Sequence, residues 1–230
     1  MEQLHNGLTL NTAGGAFPLS TDSMLLGDFT RLPKNAHVLD LGSGCGTLGL
    51  LLCAKDDRCT VTGVELDPIA HDIALKNIAR NDLSSRLSSI CADLRTVALD
   101  GGQFHVCVSN PPYFSGGPAS LTHPTARRED CCSVEDLFRT ASKFLRYGGD
   151  FFLVHRPEKL AQLCACGSNN ALEPKHLRLV RHRENGPISL ILLQCRKGGK
   201  PGLKIDELYL FDRNGAPSAQ YRSIYHLQED

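Results

Sequence analysis

The stretch Ala36-His37-Val38-Leu39-Asp40-Leu41-Gly42-Ser43-Gly44-Cys45-Gly46-Thr47-Leu48-Gly49 decides the fold. Its first six residues form a short apolar run of the kind found in a strand buried on both faces. Three glycines then break the run, and Leu48 to Ala54 continues as an apolar helix. Glycine at a strand-to-helix turn lets the backbone pass close to a ligand, and the helix N-terminus that follows favours negative charge. Gly44, Gly46 and Gly49 also spell the dinucleotide fingerprint GxGxxG. The loop alone therefore fits a dinucleotide, another nucleoside cofactor, or a bare glycine turn.

Outward from this unit the same alternation repeats. Cys59 to Glu65 reads as a second strand and Pro68 to Asn81 as its helix. Leu87 to Cys91 is a third strand ending at Ala92-Asp93, and Phe104 to Ser109 a fourth running straight into Asn110. Val134 to Leu145 is helical, with Tyr147-Gly148-Gly149 as its exit. Asp150 to His155 is a fifth strand and Glu158 to Cys166 a helix. Upstream, Ser23 to Thr30 has apolar residues at helical spacing, with Thr21 or Asp22 as its cap. Such alternation predicts an α/β fold with a parallel sheet wound on both faces. His176 to His182 and Ile188 to Cys195 are then joined by only Arg183-Glu184-Asn185-Gly186-Pro187, too short for a crossover helix. They must form an antiparallel hairpin at the sheet edge. The chain is expected to be a single domain over 1–230, with an N-terminal extension at 1–30, the core at 31–196 and a tail at 197–230 packed on that core.

The 230 residues suffice for one full α/β core. No apolar run approaches the about 20 residues needed to span a bilayer, so no membrane partner is expected. Met1-Glu2-Gln3-Leu4-His5 lacks the basic-then-apolar order of a secretory signal, which places the chain in the cytoplasm. The ten cysteines are read as free thiols packed as small hydrophobes. Cys131-Cys132 and Cys164-Ala165-Cys166 match no paired zinc spacing, so no metal is expected. Twenty-five basic residues balance twenty-five acidic ones, so net charge gives no steering toward nucleic acid. Lys175, Arg178, Arg181 and Arg183, followed by Arg196, Lys197, Lys200 and Lys204, cluster nonetheless. They read as a solvated strand edge first and as a phosphate-contacting patch second. A monomer is expected.

Three acids close three successive strands. Glu65, about twenty residues beyond the glycines, is placed to meet two ribose hydroxyls. Asp40, two residues ahead of Gly42, is placed to meet a positively charged amino group, for which a pyrophosphate cofactor has no use. Asp93 is placed to accept from an adenine amino group. Together with Gly42, Gly44 and Gly46 they outline a pocket for S-adenosylmethionine at the carboxyl edge of the sheet.

Asn110-Pro111-Pro112-Tyr113, followed by Phe114-Ser115-Gly116-Gly117, is the most specific motif. An adenine or amide nitrogen is a poor nucleophile because its lone pair is delocalised. The Asn110 side-chain oxygen and the Pro111 carbonyl can each accept one N–H of such a group, drawing it toward tetrahedral geometry. Pro111 and Pro112 hold that geometry in advance. Tyr113 offers a ring on which a flipped base can stack.

On these residues the chain resembles a class I methyltransferase of the N6-adenine group. More closely, it is similar to the bacterial family that methylates an anticodon-loop adenine of valine tRNA. The likeness covers Phe17, Ser20-Thr21-Asp22, Leu25-Leu26, Asp40 to Gly46, Gly63-Val64-Glu65-Leu66, Ser109 to Phe114, Ala126-Arg127-Arg128-Glu129, Leu208 to Asp212 and Tyr225. It implies a seven-stranded Rossmann-like sheet of order 3-2-1-4-5-7-6, S-adenosylmethionine held in part by Leu66 and Asn110, and tRNA as substrate. It also implies substrate contacts by Tyr113 and Phe114, and a role for Arg127 and Glu129 in ordering the loop behind Tyr113 or touching RNA phosphate. Lys175 and Arg178, in the basic hairpin region, are the expected RNA-facing cations. Two other functions stay open. Release-factor methyltransferases, which modify glutamine in a protein, share Asn-Pro-Pro-Tyr but resemble one another in carrying a sizeable helical domain ahead of the glycine loop, where this chain has about forty residues. A non-catalytic module binding cofactor or RNA is the third reading.

Overall fold

A computed structural model describes residues 2–4, 7–12, 19–111 and 132–227. Two short strands, β1 (Glu2–Gln3) and β2 (Thr9–Leu10), pair antiparallel ahead of helix α1 (Thr21–Phe29). The glycine stretch behaves as its pattern predicts. Strand β3 (His37–Leu41) is buried on both faces beyond its first residue and is followed by helix α2 (Thr47–Lys55). Next come β4 (Thr60–Glu65), α3 (Pro68–Arg80), β5 (Leu87–Cys91) and β6 (Phe104–Ser109). After the undescribed 112–131 follow α4 (Val134–Phe144), β7 (Leu145–His155), α5 (Leu160–Asn169), β8 (Leu172–Arg181), β9 (Ile188–Lys197), β10 (Lys204–Tyr209) and α6 (Ala219–Ile224).

Eight strands form the main sheet in the order β10-β8-β9-β7-β6-β3-β4-β5. Strand β9 runs antiparallel to both β7 and β8, so the expected hairpin is present, and the remaining pairs are parallel. Counted from β3, the first seven strands have the expected order, but the sheet does not stop at seven. Lys204–Tyr209, in the segment expected as a tail, adds an eighth strand parallel to β8. Its sequence, Lys-Ile-Asp-Glu-Leu-Tyr, carries too little apolar content to signal a buried strand. Cross-strand charge holds it instead. Asp206, opposite Arg178 in the register, receives Arg178 Nε at 2.8 Å and the guanidinium's second nitrogen at 3.0 Å, and its other bond is to His176 Nε2 at 2.8 Å.

Two local expectations are corrected. The cap of α1 is Ser20, not Thr21 or Asp22, because its side chain accepts the Ser23 N–H while its own backbone is extended. Gly148-Gly149 is not a helix exit. The chain leaves α4 at Leu145 directly in extended conformation, and β7 then bulges against β6, with Leu145 opposite Phe104 and Asp150 opposite Val106. Gly148 sits at φ +76°, and a Cβ on Gly149 would come within 3.0 Å of the Arg146 and His105 carbonyl oxygens. The glycines therefore serve the bulge.

Strand alternation sends Val38, Val61, Val106, Val108, Phe152 and Val154 into one core with α1, α2 and α3. Leu39, Leu41, Val64, Cys107, Phe151 and Leu153 enter a second core with α4 and α5. The described cysteines form no disulfide. No helix among the described residues is long and apolar enough to cross a membrane.

Candidate active site

All parallel strands of the main sheet present their C-terminal ends to one edge, where the glycine loop, Asp40, Glu65, Asp93 and Asn110 stand at or just beyond the ends of β3, β4, β5 and β6. Gly42, Gly44 and Gly46 adopt φ of +74°, +55° and +86°, a left-handed region that an L side chain rarely enters. A Cβ on Gly42 or Gly44 would meet no heavy atom within 4 Å, so the loop faces open space. Gly49 does a different job: a Cβ there would lie 2.6 Å from Leu87 Cδ1, so it lets α2 sit close to the sheet. The loop is pinned from below, since Gly42 N–H and Ser43 N–H both donate to the Val64 carbonyl, at 2.9 and 3.1 Å.

Two acids flank this cradle in contrasting environments. Glu65 is held by backbone donors, with Gly44 N–H on Oε2 at 2.7 Å and Asp67 N–H on Oε1 at 2.8 Å. Its carboxylate is thereby oriented, and each oxygen keeps a lone pair for a hydroxyl. Asp40 is 1% exposed, and neither carboxylate oxygen has a hydrogen-bond partner among the described residues. Burial first, and the Glu65 carboxylate second, push its pKa up to about 8. A buried carboxylate without a partner is costly to keep, and its natural complement is a cation delivered by a ligand. The Ser43 hydroxyl beside it is likewise buried and unpartnered. This donor set fits the amino-acid end and ribose of S-adenosylmethionine. Leu66, 48% exposed immediately after Glu65, offers an apolar surface at the rim. Asp93 follows β5 as predicted, but Arg95 already grips it, with Nε at 2.9 Å from Oδ1 and 3.0 Å from Oδ2. Those bonds hold the Asp93 carboxyl below the usual carboxylate range. Among the described residues no group of three or more His, Cys, Asp or Glu side chains could hold a metal ion.

Asn110 and Pro111 stand immediately beyond β6, next to the strand that feeds the glycine loop. The buried Ser109 hydroxyl donates to the Leu41 carbonyl at 2.8 Å and ties the two strand ends together. Asn110 Nδ2 donates to Ser23 Oγ in α1 at 3.0 Å. Pro112, Tyr113, Phe114 and Arg127, with Phe17 and the element at 126–129, lie outside the described residues.

The hairpin cations are committed internally. Arg178 makes its two bonds to Asp206, Lys175 Nζ donates to the Lys200 carbonyl at 2.9 Å, and Lys197 Nζ donates to the Leu145 carbonyl at 2.8 Å. Arg196 pairs with Asp150 and Arg181 with Glu207. The cluster thus ties strands together, close to the solvated-edge reading.

The supporting roles of four residues escaped the sequence reading. Ser23 and Ser109 are small polar residues inside apolar elements, and their partners lie 87 and 68 positions away. Asn77, fully buried on α3, accepts the Asn11 N–H at 2.9 Å and donates to the Asn11 and Cys45 carbonyls at 3.1 and 3.0 Å. Asn81, one turn on, pairs likewise with both backbone groups of Thr9. The spacing of Asn77 and Asn81 at i and i+4 was the only available signal.

Comparison with known proteins agrees with this geometry. Residues 19–163 match the family model of the methyltransferase small domain. A tRNA1(Val) (adenine(37)-N6)-methyltransferase of Photobacterium profundum is 28% identical over 223 residues, covering 94% of this chain and 92% of its own. One from Bacteroides fragilis is 32% identical over 177 residues, covering 75% and 74%. Among solved structures, a predicted O-methyltransferase from Agrobacterium tumefaciens superposes with a TM-score of 0.75 at 22% identity, covering 90% of this chain and 96% of that one.

Proposed function

The chain belongs to the methyltransferase small domain family and is an S-adenosylmethionine-dependent N-methyltransferase, and from that premise we propose that it methylates the N6 amino group of an adenine in the anticodon loop of valine tRNA, in the cytoplasm. The names of its relatives supply the substrate, and one observation supports the chemistry. Asn110 sits at the end of β6 beside the glycine loop with its Nδ2 committed to Ser23, so Oδ1 is the end of the amide presented as an acceptor.

When bound, S-adenosylmethionine supplies an electrophilic methyl group on a positively charged sulfur. Asp40 would hold its amino group, Glu65 its ribose hydroxyls, and Asp93 and Leu66 would border its adenine. Asn110 Oδ1 and the Pro111 carbonyl take the two N–H bonds of the target amino group, turning its lone pair out of conjugation with the ring. Holding the group in place lowers the entropic part of the barrier. No side-chain base is required, because the nitrogen releases a proton to solvent once it carries the methyl. Tyr113 and Phe114, outside the described residues, supply by their type the rings on which an extruded base stacks.

The test is methyl transfer from radiolabelled cofactor to an unmodified valine tRNA transcript, run beside a transcript lacking the target adenine and beside total protein. Label is expected only in the first, and Asn110→Ala should abolish it while binding the cofactor within about threefold of wild type. Label confined to protein, or an Asn110→Ala variant as active as wild type, overturns the proposal.

A further inference from the structure

A primary amide can present either its oxygen or its nitrogen to a neighbour, and only one sense serves Asn110. With Nδ2 turned toward the target amino group, two donors would face each other and the group would be repelled. Something must therefore fix the sense of the amide, and α1 supplies it. Asn110 Nδ2 donates to Ser23 Oγ at 3.0 Å. A serine hydroxyl alone would not decide the matter, because it can donate to an amide oxygen as readily as it accepts from an amide nitrogen. Ser20 gives the Ser23 proton an acceptor other than Asn110. Its Oγ accepts the Ser23 N–H at 3.2 Å and lies 3.1 Å from Ser23 Oγ. When the Ser23 hydroxyl donates to Ser20, its lone pairs face Asn110 and favour the NH2 end there, which is the sense the structure shows. Ser23 is 7% exposed, so water does not compete freely for the position.

We infer that Ser23, polarised by Ser20, is a positioning residue that fixes the Asn110 amide with Oδ1 toward the target amino group. This inference rests on the reading of Asn110 given above. It also gives the N-terminal helix a part in the chemistry: the residue that caps α1 bonds the one that orients the amide 87 positions later in the chain.

The test compares Ser23→Ala, Ser23→Thr and Asn110→Ala in the full chain, using valine tRNA transcript as substrate. Ser23→Ala should lower kcat about tenfold, with KM for tRNA and Kd for S-adenosylmethionine within about twofold of wild type. Ser23→Thr, which keeps the hydroxyl, should recover most of the loss. A second readout needs no turnover. The Asn110 side-chain 15N–1H2 signals, assigned by their absence in Asn110→Ala, should be sharp in wild type and Ser23→Thr and exchange-broadened in Ser23→Ala. Unchanged kcat and unchanged amide signals in Ser23→Ala, with Asn110→Ala still inactive, would overturn the positioning role alone. The positioning role also falls if Ser23→Ala raises KM or Kd in step with the loss of kcat, since a merely structural defect does that. Full activity in Asn110→Ala would instead bring down the reading of the site, and the inference with it.

Discussion

Replacing Asp40 by asparagine should make the cofactor-free protein more stable and the cofactor-bound one less favoured, two effects of opposite sign from one atom change. The carboxyl is 1% exposed, has no hydrogen-bond partner among the described residues, and is pushed up to about 8 by burial and by Glu65. Below about pH 3.8 it is protonated in folded and unfolded chains alike and contributes nothing. As pH rises above that value the unfolded chain ionises freely while the folded one keeps its proton, so the unfolded state is favoured. The penalty grows until about pH 8 and is constant above it. At pH 7 the unfolded carboxyl is about 3.2 pH units past its own pKa, worth roughly 4 kcal/mol as an upper bound, since water in the cleft screens the charge. An amide in the same place does not titrate and carries no such penalty. Denaturant melts of both proteins should therefore coincide near pH 4 and separate progressively toward pH 8, with Asp40→Asn the more stable. Calorimetry should show the reverse for S-adenosylmethionine, whose affinity falls about 10- to 100-fold on losing a charge-assisted bond. Wild-type binding at pH 7 should also release a proton, detected as a dependence of the heat on buffer ionisation. Parallel stability profiles across this range, or unimpaired cofactor binding by the variant, would refute the assignment of Asp40 as the site of the cationic group.

Two further outcomes test the supports of the site. Asn77→Ala removes the link between the N-terminal strand and the Cys45 carbonyl in the glycine loop. It should cost about 2–3 kcal/mol in urea unfolding and also weaken cofactor binding, because buried backbone groups lose their partners. Asp206→Ala leaves Arg178 and His176 without their shared carboxylate and should cost about 2 kcal/mol, with faster amide exchange confined largely to β10. Burial raises the Asp206 pKa, but the Arg178 and His176 bonds outweigh it and hold the carboxyl far below its ordinary range. The stability it supplies is therefore present at neutral pH and lost only as pH falls through that depressed value, so wild type and variant should converge in strong acid.

Much of this was legible because it is encoded at short range. A run of apolar residues such as Val38-Leu39, a glycine triplet and a helix pattern each declare themselves within a window of a dozen residues, so the alternation of strands and helices and the acids closing the strands followed. The errors share a cause. Gly148-Gly149 carries the signature of a helix end, yet the same freedom at φ > 0 also builds a bulge, and only the partner strand chooses between them. β10 has weak apolar content of its own and is a strand because Arg178 and His176 await Asp206.

The sequence by itself determined the fold class, the closing antiparallel hairpin, and the chemical types gathered at one edge of the sheet, since periodicity and turn chemistry are local properties of the chain, whereas the order of the first seven strands was implied by the family resemblance. Tertiary structure alone decided that Asp40 would be buried without a partner among the described residues, that the Ser20–Ser23 pair would reach Asn110, and that Arg178, Arg181 and Arg196 would pair with acids on neighbouring strands. Burial and hydrogen-bond pairing are relations between residues far apart in the chain, set when the elements pack, and no stretch of sequence contains them.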